Sequence, residues 1–151
     1  MVDLHKYLWV VMGAEIKLEG LDAVFNLLDE VYDPIALNQA LGQACAYVER
    51  EAKKLAPKGN GDLRRSITSK VEGLEGVVFT PLEYAPYVEY GTGLFAEEGN
   101  GRKDVPWNYK DEKGEWHSTS GQKPHPFMRP ALNNSRTQIN QILKGAITKN
   151  D

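Results

Sequence analysis

Pro34 and Pro57 bracket a stretch in which Leu37, Leu41, Ala44, Val48, Ala52 and Leu55 recur every three or four residues. Proline is tolerated in the first turn of a helix and stops one that runs into it, so the spacing predicts a single amphipathic helix of about five turns. Such a helix carries one apolar stripe and must cover it with another layer. Two further stripes offer partners. Leu21, Val24, Phe25, Leu28, Val31 and Tyr32 share one helical face up to Asp33-Pro34, where the residue before proline avoids the α region. Met128, Ala131, Leu132, Ser135, Ile139, Ile142, Leu143 and Ala146 define a third helix to about Ile147, with Pro130 harmless only in its first turn.

The remaining segments change period. Ile67, Ser69 and Val71 alternate with Thr68, Lys70 and Glu72, and Val77-Val78-Phe79 follows Gly76, which predicts a hairpin turning at Gly73–Gly76. Asp62 is placed to cap a short segment, Leu63–Ser66. Tyr84–Gly93 reads as a short helix that opens at Pro86 and closes at Gly91. Residues 94–126 form a long polar arm. Within it, Trp107-Asn108-Tyr109 and Glu115-Trp116-His117 flank Asp111–Gly114 and predict a second hairpin with aromatic side chains across from each other. With few aliphatic residues, the arm is expected to be mobile in a free subunit. The order helix, helix, hairpin, short helix, arm, helix predicts an α+β fold: two N-terminal helices and a long C-terminal helix packed on one face of a small antiparallel sheet that contains Ile67, Val71, Val77 and Phe79.

A chain of 151 residues, 41% hydrophobic and 26% charged, suits one domain, and residues 20–151 are expected to form it, arm included. Residues 1–19 read as an extension. Tyr7–Met12 is too short and weakly flanked for a signal peptide and favours a strand; translation starting at Met12 is the other reading. No apolar run approaches the ~20 residues that span a bilayer, so no membrane partner is expected. The single Cys45 leaves no intrachain disulfide and sits beside the apolar stripe, as an inert core thiol would.

Catalysis and cofactor binding find little support. His5, His117 and His125 are isolated, without the i, i+4 spacing of a helical metal site. Gly59-Asn60-Gly61 and Gly91-Thr92-Gly93 lack the spacing that cradles phosphate, and no serine sits in a nucleophile elbow. No catalytic residue, metal or cofactor is therefore assigned. Charge is more informative. Residues 50–70 carry seven Lys or Arg against two acidic residues, whereas residues 71–121 carry four against ten, within a net charge of −3. Alternating blocks suit a surface with faces of opposite sign, which can steer identical subunits head to tail. The basic block Lys53–Lys70 also permits a different function, a DNA-binding accessory protein, although no base-reading motif accompanies it.

Three segments and the helix after them carry a family resemblance: AKKLAPKGNGDLRRSI at 52–67, YAPYVEYGTG at 84–93, and PWNYKDEKGEWHSTSGQKPHPFMRPAL at 106–132. In this order the chain resembles, over residues 20–147, the tailed-phage neck family typified by the gene ten product of phage Hong Kong 97. The resemblance implies a virion protein of the head–tail interface, concerned with tail completion or head–tail joining and assembled in the bacterial cytoplasm. It further implies a ring of identical subunits around the DNA channel, without catalysis. The implied partners are further copies of the chain, other neck and tail proteins, and DNA through non-specific contact. Candidate interface residues are Arg64, Arg65, Tyr87, Tyr90, Trp107, Tyr109, Trp116, Phe127 and Arg129, since Trp, Tyr and Arg dominate interface energetics.

Overall fold

The computed structural model describes residues 9–12, 15–18, 33–97, 99, 101–111 and 113–148. The chain divides into two compact units, a helix–sheet unit within residues 1–82 and 127–151 and a hairpin unit, residues 83–126. The described residues give an α+β fold with four α-helices, the last of them long, and two small antiparallel sheets. The helix expected over 21–32 lies outside the described residues.

In the helix–sheet unit, α1 spans Pro34–Leu55. Asp33 caps it, its Oδ1 accepting from the Ile35 amide at 2.9 Å, and Pro34 takes the first turn, where a missing N–H costs nothing. Leu37, Ala40, Leu41, Ala44, Cys45, Val48 and Ala52 are buried, so the stripe read from the sequence is the buried face. It packs chiefly on the C-terminal helix α4, Met128–Thr148, and on the sheet. Pro130 lies in the first turn of α4, and the buried Ser135 hydroxyl is satisfied by the Ala131 carbonyl at 2.6 Å. The short α2, Asp62–Ser66, follows α1.

Four antiparallel strands form the main sheet in the order β1-β2-β4-β3: β1 Trp9–Met12, β2 Glu15–Leu18, β3 Thr68–Glu72 and β4 Glu75–Phe79. β2 had no assignment from the sequence, yet it pairs with β4 along its whole length. Two details of the expected β3–β4 hairpin change. Gly76 lies inside β4 rather than in the turn, and α1 packs close over it: a Cβ there would collide with Cys45 Sγ and meet Leu41 Cδ1 at 3.1 Å. Val77 and Phe79 do not face α1. The register aligns Ile16, Val78 and Ser69 in one row, and the Ser69 hydroxyl donates to Glu49 of α1 at 2.6 Å. Alternation then sends Val77 and Phe79 to the opposite face.

The hairpin unit begins with α3, Ala85–Tyr90, opened by Pro86 and closed by Gly91 at φ 78°, whose amide donates to Tyr87 O at 3.0 Å. A single 3-10 turn, Gly93–Phe95, precedes the hairpin of β5, Trp107–Lys110, and β6, Trp116–Thr119. The chain then returns alongside residues 92–94. Thr92 N donates to Gln122 O at 2.9 Å, Leu94 N to Ser120 O at 3.0 Å, and Gln122 N to Thr92 Oγ1 at 2.9 Å. The arm thus has a backbone-built anchor that its poverty in aliphatic residues concealed.

Candidate assembly surfaces

The basic block forms a corner where α1 ends and α2 begins. Arg64 Nε donates to the Lys53 carbonyl at 2.8 Å, satisfying one of the acceptors that the last turn of α1 leaves open. Asp62 does not cap α2 with its side chain. It pairs with Arg65 at 2.5 Å, and Arg65 also reaches Asn60 O at 3.3 Å. Lys53 pairs with Glu49 at 2.6 Å and Lys54 with Glu51 at 2.7 Å. Burial raises the Glu49 carboxyl pKa, but hydrogen bonds from Lys53 and Ser69 outweigh it and hold the group below its ordinary value. The Lys54 hydrogen bond lowers Glu51 in the same direction. Arg64 and Arg65 stay exposed, so these ion pairs orient the corner more than they stabilise it. Cys45 behaves as expected of a core thiol: burial, then the Glu49 charge, pushes its pKa up to about 11.

In the hairpin unit, Tyr87 is 60% exposed on α3, with Tyr84, Leu94 and Phe95 also open to solvent, while Tyr90 is half-buried. The two hairpin tryptophans occupy opposite faces. Trp107 and Tyr109 share one, facing Thr119 and His117, whereas Trp116 lies opposite Lys110 on the other. Tyr109 stacks on His117 with centroids 5.4 Å apart, and the Lys110 ammonium sits 5.9 Å from the Trp116 ring. Trp107 is half-buried, covered by the Arg102 guanidinium at 5.2 Å and lying where a side chain on Gly93 would meet it. Trp116, 72% exposed, is the tryptophan of the pair that remains available to a partner. Phe127 is fully buried, so the monomer does not present it as a surface, and Arg129 is half-buried.

Two features escaped the sequence reading. Glu89, in the YAPYVEYGTG segment, is fully buried, and among the described residues no buried side-chain nitrogen or oxygen lacks a partner. The second is the turn between β5 and β6. Asp111 accepts from the Lys113 and Glu115 amides at 2.9 and 2.8 Å, and its Oδ2 lies 2.9 Å from His117 Nε2. Asp111, Glu115 and His117 place one ligating atom each within 4.8 Å of one another, close enough to hold a cation, but Asp111 already serves its own turn. The signal was present in the predicted hairpin: pairing around Asp111–Gly114 brings residues 111 and 117 together although six positions separate them.

The Glu115 amide, then His117, hold the Asp111 carboxyl below its ordinary value of 3.8. A depressed folded-state pKa means that the stabilisation is present above the unfolded value and is lost as pH falls through the folded one. The Tyr109–His117 stack is therefore expected to persist at pH 5 and to loosen reversibly below pH 3.8. Proton contacts between the two rings, followed by NMR, measure this; Asp111→Asn should weaken them already at pH 5.

The elements from α1 to α3 carry both the basic corner and Tyr87, and this stretch coincides with a family match. Residues 26–91 match the HK97-gp10-like family. The family is described as "Bacteriophage HK97-gp10, putative tail-component". The resemblance read from the sequence is thus shown over the middle of the chain. The HK97-gp10-like segment includes the whole of 52–67 and Tyr84–Gly91, while the β5–β6 hairpin and α4 lie outside it. No curated protein and no solved structure gives a significant match. No helix among the described residues is long and apolar enough to cross a membrane.

Proposed function

We propose that this chain is a structural virion protein of the phage head–tail interface, acting in tail completion or head–tail joining as one subunit of a ring and without a catalytic step. The HK97-gp10-like match over residues 26–91 carries this reading. The surface chemistry supports it. A ring closes through a heterologous contact between two unlike patches, and the chain has a basic corner at α1–α2 and exposed aromatic side chains on α3 and β6. Its partners are copies of itself and other neck and tail proteins, and its location is the virion, after assembly in the host cytoplasm. Arg64 and Arg65 remain exposed, so contact with DNA in the channel is non-specific and electrostatic.

Electron microscopy of the purified protein, alone and with its tail partner, tests the reading. Closed rings of uniform diameter are expected. A monomer under both conditions would overturn it. The DNA-binding alternative makes the opposite demand: Arg64→Ala/Arg65→Ala would leave particle assembly intact and abolish tight, salt-sensitive DNA binding.

A further inference from the structure

The outer face of the main sheet, turned away from α1, carries a groove of about 310 Å³ lined by Glu15, Lys70, Glu72, Glu75, Val77 and Phe79. Its floor is apolar, from Val77 and Phe79, and its rim holds three carboxylates against Lys70. The Lys70 ammonium pairs with Glu72 at 3.0 Å and lies 5.9 Å from the Phe79 ring. The groove thus already accommodates one cation in the way that suits a long basic side chain, with its stem on apolar surface and its head among carboxylates.

The complementary patch stands at the far end of α1 from the Glu72 and Glu75 end of the groove. Asn38 Nδ2 donates to Gly73 O at 2.7 Å, which fixes the β3–β4 turn, and with it Glu72 and Glu75, beside the start of α1. Arg64 is fixed beside its end by the bond to Lys53 O. At 1.5 Å per residue these anchor points are about 22 Å apart along the helix. The basic corner also belongs to the helical layer, whereas the groove opens on the far side of the sheet. Glu72 and Glu75 therefore do not reach Arg64 and Arg65 of their own chain.

We propose that the groove receives the α2 corner, Arg64 and Arg65, of a second copy of this chain. Opposite charge on opposite ends and opposite layers is the arrangement that a heterologous, head-to-tail contact requires. The proposal deepens the ring reading above and rests on it, and it assigns that ring a specific pair of patches. Between exposed charges the contact is screened, so self-association should weaken as salt is raised from 0.1 to 1 M, where the screening length falls from roughly 10 to 3 Å.

Two charge-reversed variants test the pairing, Glu72→Lys/Glu75→Lys in the groove and Arg64→Glu/Arg65→Glu at the corner, followed by analytical ultracentrifugation with thermal unfolding as a check of folding. Like charge facing like charge should weaken self-association of each variant alone by roughly 100-fold. An equimolar mixture should reassemble, because every groove then meets a corner of opposite sign. If the corner reversal unfolds the protein, Arg64→Gln/Arg65→Gln replaces it. This neutral pair should also lose self-association, and mixed with the groove variant it should stop at a heterodimer, because its acidic groove then meets an arginine corner while its own neutral corner finds no acidic groove. Assembly of either reversed variant at wild-type strength, or failure of the mixture to reassemble, would overturn the contact while leaving the ring reading intact. A wild-type chain that never self-associates would remove both.

Discussion

Val48→Asp is expected to abolish folding of the helix–sheet unit, and Leu41→Ala to lower its unfolding free energy by about 2–5 kcal/mol. Both side chains are fully buried on α1, the helix that packs on α4 and on β3 and β4 at once. Shortening Leu41 leaves a cavity whose walls belong to more than one element, since its side chain also lies against Gly76 of β4, and helix and strand cannot close together to fill it. At Val48 the cost is electrostatic: a carboxylate there has lost its water, and Lys53 and the Ser69 hydroxyl are already engaged by Glu49. Urea denaturation followed by circular dichroism measures both. A midpoint unchanged by Leu41→Ala would remove α1 from the core.

The second large effect is expected in the hairpin unit. Gly93 and Gly121 adopt φ of 59° and 120°, and a Cβ on Gly93 would strike Ser120 O while one on Gly121 would strike Thr92 O. Here two backbone segments touch with no side chain between them, and their hydrogen bonds at Thr92, Leu94 and Gln122 depend on that closeness. Alanine at either position combines a backbone conformation disfavoured by about 1–2 kcal/mol with a clash against main chain that cannot rotate away, typically another 1–3 kcal/mol. Gly121→Ala should therefore release residues 92–94 from 120–122 and expose Trp107. Hydrogen exchange at the Thr92, Leu94 and Gln122 amides reads this directly, and wild-type protection in Gly121→Ala would contradict it. Gly114→Ala serves as the comparison, because its Cβ would meet only Lys110 Cε at 3.6 Å; its effect should be confined to the φ of 84° in the turn.

What could be read beforehand follows a physical division. Periodicity reports which side of an element is apolar, so the stripes of α1 and α4, the limits set by Asp33, Pro34 and Pro57, and the β5–β6 pairing were all legible in residues close together along the chain. The resemblance to the phage family was legible on the same footing, and the match over 26–91 supports it where those local signals are dense. Alternation within β4 was misread because three apolar residues in succession, Val77, Val78 and Phe79, carry no parity of their own. Only pairing with β2 and β3 showed that Val78 faces α1 and that Val77 and Phe79 floor the outer groove.

The candidate site divides in the same way. The residue types for an assembly surface were visible as Arg, Tyr and Trp, but their availability was not. Phe127 proved fully buried and Trp107 half-buried, whereas Trp116 stands exposed, and nothing in their immediate sequence separates the three. By itself the sequence determined α1, α3 and α4, the pairing of β5 with β6 and the alternation of charge, because each is a property of neighbours along the chain. Only the tertiary structure decided that Gly91-Thr92-Gly93 is a place where two backbones meet, and that the Glu72 and Glu75 end of the outer groove lies at the far end of α1 from the basic corner. Each of these is a distance between residues remote in sequence or a choice between two faces, and local composition carries no record of either.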